Sequence, residues 1–220
     1  MRFMQVKLTQ RGALYLVLLV IVMLLSSMLL SLFMQVYDTG FAVEGSSGRL
    51  PDGVGSKHGI TPDQAVNSIM AFIQGRGQKP IFLTTVEASH LADVRLLVAV
   101  LKIAVPLTLL FSIALVAKPY MSYGRIVSKI MLIAAGASVL LLLELAAFAW
   151  INFSFVFRSF HLLLFPQGNF AFPADSVLIT LFPESFFMQA ALAVIVRAIL
   201  LLAGYALFGF MMIKGWDTKH

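Results

Sequence analysis

The sequence predicts an all-α membrane protein: a bundle of four transmembrane helices with two extracytoplasmic loops that contain short helices. Three observations predict it. Of the 220 residues, 60% are apolar and 12% charged, and the mean hydropathy of +0.94 exceeds that of an ordinary soluble domain of this length. Four apolar runs, near residues 13–36, 94–117, 130–153 and 187–213, are each long enough to cross a hydrocarbon core of about 30 Å as a helix. The charges then sort by flank. Arg2, Lys7, Arg11, Lys118, Arg125, Lys129, Lys214 and Lys219 fall on one side with Asp217 as the only acid, and the positive-inside rule assigns that side to the cytoplasm. Every other acid except Glu144 lies on the opposite side, in loops of about 37–93 and 154–186. The chain from 1 to 220 therefore reads as one membrane domain with cytoplasmic N- and C-termini, and any chemistry faces outward.

The elements follow in order. The first apolar run exceeds the h-region of a signal peptide and no small-x-small cleavage site follows it, so it is expected to remain as an anchor. The formal charge of +6 sits beside apolar segments rather than in a basic groove, so topology accounts for it and no nucleic-acid partner is expected. The first outer loop opens with GSSGRLPDGVGSKHG, which predicts irregular backbone. Thr61-Pro62-Asp63-Gln64 is a capping-box pattern with proline at the first helical position, predicting a helix to about Gln74 that ends at Gly75. Its stripe Val66, Ile69, Met70 and Ile73 suits the bilayer surface or the other helices. Thr84-Thr85-Val86-Glu87 is a second capping box, which starts the second membrane helix about two turns before its hydrocarbon span. In the second outer loop, Asp175 is expected to cap SVLITLF, and Pro183-Glu184 to open the last membrane helix.

Candidate chemistry lies on these outer extensions. His90 and Asp93 are three residues apart, hence on one helix face, where a carboxylate can fix an imidazole tautomer. An interfacial histidine beside a solvated aspartate fits the same spacing. Phe153, Phe157, Phe160, His161 and Leu164 fit a helix that puts His161 on an aromatic face, while alternation at Phe153, Phe155 and Phe157 fits a strand-like start. Spacing leaves both open, and the phenylalanines alone require only an interfacial belt. Arg158 reads most simply as a contact for a lipid phosphate, and Glu184 as an acid at a positive helix end. Lys102, Glu144 and Arg197 lie inside the spans at similar depths below the outer surface. A lone charge in lipid costs about 3 kcal/mol or more, so the three are expected to cluster, as an ion-pair lock or as the floor of a pocket. Pro106 is expected to kink the second helix and make room there.

Several chemistries are excluded. Without cysteine there is no thiol nucleophile, disulfide or Cys-type metal site. No G-x-S-x-G elbow and no H-E-x-x-H occur, and Gly136-Ala137-Ser138 lies among alanines deep in the third span, where it serves helix packing. No metal or cofactor is expected.

SHLADVRLL at 89–97, FRSFHLLLF at 157–165 and DSVLITLFPESFF at 175–187 together resemble the lipoprotein intramolecular transacylase (Lit) family of bacterial integral membrane proteins. The order of these motifs and the four-span layout cover most of the chain; residues 38–79 carry no match. Where that family has a tryptophan after the FH motif, this chain has Phe170 or Phe172. The resemblance implies transfer of the sn-2 acyl chain of a lipoprotein S-diacylglyceryl-cysteine to the α-amino group of the same cysteine, giving a lyso-form lipoprotein. It also implies a site at the outer face of the bacterial cell membrane, diacylated lipoproteins and membrane lipids as partners, and His90 and His161 as the functional histidines. Such a reaction needs no protein nucleophile, which agrees with what the chain lacks. His90, oriented by Asp93, is cast as base and His161 as acid or oxyanion donor, with the reverse casting open. Arg158, Lys102 or Arg197 adds positive charge, and Glu184 is a candidate neighbour of the histidines. Two other readings compete: a non-catalytic scaffold or lipid-binding protein, and a small transporter, against which stands the absence of internal repeats and paired broken helices.

Overall fold

The computed structural model describes residues 10–218, so Arg2, Lys7 and Lys219 of the charge argument lie outside the described residues. Among the described residues every regular element is helical: α1 (Gln10–Tyr37), α2 (Thr39–Gly45), α3 (Val54–His58), α4 (Pro62–Ile73), α5 (Thr85–Ile151), α6 (Phe153–Leu164), α7 (Val177–Leu181) and α8 (Glu184–Asp217). Three of them, α1, α5 and α8, are long and apolar enough to cross a membrane.

The second and third predicted runs are both contained in the 67 residues of α5. Its backbone leaves helical geometry at Tyr123, with φ −138° and ψ 36°, and both halves pack on α1: Tyr15 Oη donates to the Leu115 carbonyl at 3.0 Å and Ser138 Oγ to the Val20 carbonyl at 3.3 Å. The chain therefore folds back at Tyr123. Pro119 prepares the bend, because it has no N–H to return to the Leu115 carbonyl four residues earlier, and Tyr15 takes up that acceptor instead. At Pro106 by contrast the backbone dihedrals stay helical, so the chain does not fold back there. Beyond the bend, Gly124 is buried beneath Trp216 of α8, and a Cβ at this position would collide with the indole. Between the long helices the core is built from Leu19, Met23, Met131, Ala134, Ala198 and Leu202. Buried serines line the bundle, and Ser128 and Ser138 return their hydroxyls to the Gly124 and Val20 carbonyls at 2.8 and 3.3 Å.

The segments between the long helices form a packed lobe with its own core, in which Val66, Ile69 and Ile73 of α4 meet Leu91 of α5 and Leu178 and Leu181 of α7. Thus the stripe of α4 is buried in protein. Both capping boxes form: Thr61 N–H donates to Gln64 Oε1 at 2.9 Å, and Gln64 N–H to Thr61 Oγ1 at 3.3 Å. Gly75 ends the segment at φ +81°, where only glycine is unstrained. The Gly/Ser-rich stretch expected to be irregular contains the single-turn helix α3. Ser176 rather than Asp175 caps α7, its Oγ accepting from Ile179 N–H at 3.2 Å. Residues 153–164 are helical, which decides against a strand-like start.

Candidate active site

Two helix starts bring the histidines together. At the first, Thr84 N–H donates to Glu87 Oε2 at 2.9 Å while Glu87 Oε1 accepts from Leu178 N–H at 3.1 Å. The carboxylate, 1% exposed, therefore caps α5 and fastens α7 to it. This anchored extension carries His90, outside the predicted hydrocarbon span that begins at 94. At the second, Asn152 takes φ −141° and ψ 53°, interrupting the chain between α5 and α6. His161 is the buried residue of α6, and its Nδ1–H donates to the Phe157 carbonyl at 2.8 Å. A carbonyl can only accept, so Nδ1 carries a proton and Nε2 is the nitrogen turned away from that bond.

The two imidazoles lie with centroids 6.0 Å apart and planes inclined by 23°. Phe165 packs on both, at 4.5 Å from His90 and 5.7 Å from His161. Phe172 lies 5.5 Å from His90, while Phe157 and Phe170 lie 4.2 and 5.3 Å from His161. His90 is 8% exposed and His161 9%, and His90 Nδ1 is buried without a hydrogen-bond partner among the described residues. Burial first, and then the neighbouring His161, push the His90 pKa down from 6.5 to about 4, against opposing pulls from Asn169 and Asp93. His90 is therefore neutral at physiological pH.

The other expected site residues take different places. Asp93 does not bond His90; its Oδ2 accepts from Asn169 Nδ2 at 2.6 Å and from Gln167 Nε2 at 2.8 Å. Glu184 accepts from Ser154 Oγ at 2.5 Å, which ties the start of α6 to the start of α8 rather than to the histidines. Lys102, Glu144 and Arg197 do not cluster. Arg197 pairs with Asp38 Oδ2 at 2.7 Å and donates to Gln35 Oε1 at 2.5 Å. Lys102 Nζ donates to the Gln74 carbonyl at 2.8 Å, capping the C-terminus of α4. Glu144 is exposed and has no ion pair among the described residues. The lobe offers the two cations polar partners far away in sequence, and these compete successfully with Glu144. Arg158 is exposed, also without an ion pair among the described residues. Sequence reasoning missed Asn169, Gln167 and Ser89. Pro166-Gln167-Gly168-Asn169 was the available signal, a turn whose two amides are the polar groups of an otherwise aromatic segment.

The chain matches the family model described as lipoprotein intramolecular transacylase Lit over residues 13–187. It belongs to that family. A solved structure described as the membrane integral lipoprotein intramolecular transacylase Lit from Bacillus cereus superposes with a TM-score of 0.73 at 15% identity, covering 94% of this chain and 97% of the other. At that identity the likeness speaks for the fold. No curated protein matches the sequence. Family membership, together with the long apolar helices, identifies an integral membrane protein of the acyltransferase kind.

Proposed function

We propose that this chain moves the sn-2 acyl chain of a lipoprotein S-diacylglyceryl-cysteine to the α-amino group of the same cysteine, leaving a free sn-2 hydroxyl. The observation that carries this reading is the buried pair of facing imidazoles, 6.0 Å apart, each with a nitrogen not committed to the protein. In this reading the chain crosses the membrane four times, with α5 counted as two spans joined at Tyr123 and both termini cytoplasmic. The histidines then lie at the outer surface, where the aromatic rings grip acyl chains arriving from the outer leaflet.

The chemistry needs no covalent enzyme intermediate. The aromatic surroundings disfavour the substrate ammonium, so the amine is neutral when it meets the ester carbonyl. Its nitrogen forms the C–N bond, and the tetrahedral carbon carries an oxyanion. His161 Nε2 takes a proton from that nitrogen and returns it to the sn-2 oxygen as the C–O bond breaks, so one proton moves from nitrogen to oxygen overall. His90 Nδ1 accepts the amine's other N–H and holds it on line; much of the rate comes from that alignment. This casting gives the base's part to His161. Arg158, on the turn before His161, supplies positive charge to the developing oxyanion or to the head group.

The test is expression in a bacterium that makes diacylated lipoproteins, followed by mass spectrometry of the lipidated cysteine. N-acyl S-monoacylglyceryl cysteine is expected; unchanged lipoproteins despite verified expression would refute the proposal.

A further inference from the structure

Asn169 lies outside both helices of the histidine pair, yet it is fastened to the helix that carries His90. It follows Gly168, which turns the chain at φ +76°, and its Nδ2 donates to Asp93 Oδ2 at 2.6 Å and to Ser89 Oγ at 3.4 Å. A carboxylate only accepts, so the end facing Asp93 is the NH2 end and the amide has one possible orientation. Its Oδ1 is therefore the accepting end, and takes one bond from Gln167 Nε2 at 3.3 Å. Ser89 and Asp93 bracket His90 on α5, so a side chain bonded to both passes beside the imidazole.

The imidazole is correspondingly asymmetric. Nδ1 is buried and unpartnered among the described residues, so Nε2 is the nitrogen left to meet the amide that Ser89 and Asp93 hold beside the ring. We propose that Asn169 is the positioning residue of His90: held by Asp93 and Ser89, its Oδ1 accepts the Nε2–H of His90 and leaves Nδ1 as the accepting nitrogen. This assigns Asp93 the task of orienting the amide that orients the histidine. His161 is arranged in the opposite sense, with Nδ1–H on a backbone carbonyl and Nε2 free. Each ring then has one nitrogen fixed by the protein and one that the protein does not engage.

The inference rests on the acyl-transfer reading for its consequence but not for its first readout. In full-length protein carrying 15N-labelled histidine, the nitrogen shifts of His90 are expected to report the Nε2–H tautomer, assigned by comparison with His90→Phe. Asn169→Ala is expected to give a mixture of both tautomers, and Asp93→Asn the same mixture, because an amide facing Asn169 no longer forces its orientation. A His90 tautomer that is the same in wild type and Asn169→Ala would overturn the proposal whether or not the protein transfers acyl chains. In turnover assays, Asn169→Ala should lower kcat by about 10- to 100-fold with KM nearly unchanged, the usual loss when an orienting partner is removed. The Asn169→Ala, Asp93→Asn double variant should be no slower than Asn169→Ala, since both act on one bond. Multiplying losses in the double variant, or a rise in KM alone, would make Asn169 a loop fastener and sink the positioning role.

Discussion

The membrane bundle and the lobe packed at its end are both helical, but they are held together by different physics. In the bundle a few large side chains such as Leu19, Met131 and Leu202 are buried beside Ala134, Ala135, Ala198 and a set of serines, while many others, such as Leu107, Leu110 and Leu140, stay exposed. Lipid solvates those side chains, so association depends on close packing rather than on burying them. In the lobe aromatic and branched side chains fill the core, and the buried polar groups Gln74, Glu87, His90 and His161 carry amide, carboxylate and imidazole groups rather than hydroxyls. The proposed chemistry falls in the second region, where the buried polar groups include the two imidazoles and a carboxylate.

Breaking the lobe at its histidines should have the largest effect. His161→Ala is expected to lower turnover by about 10²- to 10⁴-fold, the range associated with proton transfer by a positioned side chain, and His90→Ala by about 10²-fold through lost alignment, with folding intact by circular dichroism. Full activity in both variants would remove the pair from the reaction. Next comes Glu87→Ala, which leaves the Leu178 amide and the Thr84 cap without their buried acceptor. A loss of about 3 kcal/mol is expected in the unfolding of the lobe, and less than 1 kcal/mol would mean that water replaces the carboxylate.

The bundle should fail by sterics instead. Gly124→Ala puts a methyl group into the Trp216 indole, and a loss of about 2 kcal/mol is expected from overpacking at the bend. Trp216→Ala in the same chain should restore most of it; a double variant as unstable as Gly124→Ala would place the strain elsewhere.

How much of this was legible in sequence follows the same division. Apolar runs of about 20 residues are dictated by bilayer thickness, and the runs at 13–36 and 187–213 emerge as α1 and α8 with small shifts of boundary. Capping boxes are equally local, and both form. His90 and His161 could be picked out because each is a rare residue type in its segment. The partners of Asp93, Lys102 and Arg197 could not, since they lie 76, 28 and 159 residues away and no periodicity connects a helix to a loop packed across it. The resemblance identified the pair without indicating how either ring is held.

Acid should distinguish the two regions more gently. The folded-state pKa of His90, about 4, lies below its unfolded value near 6.5, so between these values the unfolded chain binds a proton that the folded chain refuses. Stability from this group is complete above 6.5 and declines as pH falls towards 4. The loss should appear in unfolding of the lobe, and His90→Phe, which fills the aromatic site without titrating, should flatten the slope. An unchanged slope would assign the acid sensitivity to other groups.

The smallest effect is expected from the most conspicuous charge in the bundle. Glu144 lies within the apolar run 130–153, between Leu143 and Leu145, which are both 49% exposed, and it has no ion pair among the described residues. An ionised side chain in lipid costs about 3 kcal/mol or more, and here neither Lys102 nor Arg197 offsets that cost, because each is bonded to the lobe. Glu144→Leu should therefore leave stability unchanged or raised, and activity within about twofold of wild type, whereas Arg197→Leu, which strands Asp38, should destabilise by about 1 kcal/mol. A tenfold loss of turnover in Glu144→Leu, with the protein still folded, would put the carboxylate back at the site and mean that the working form brings the three charges together.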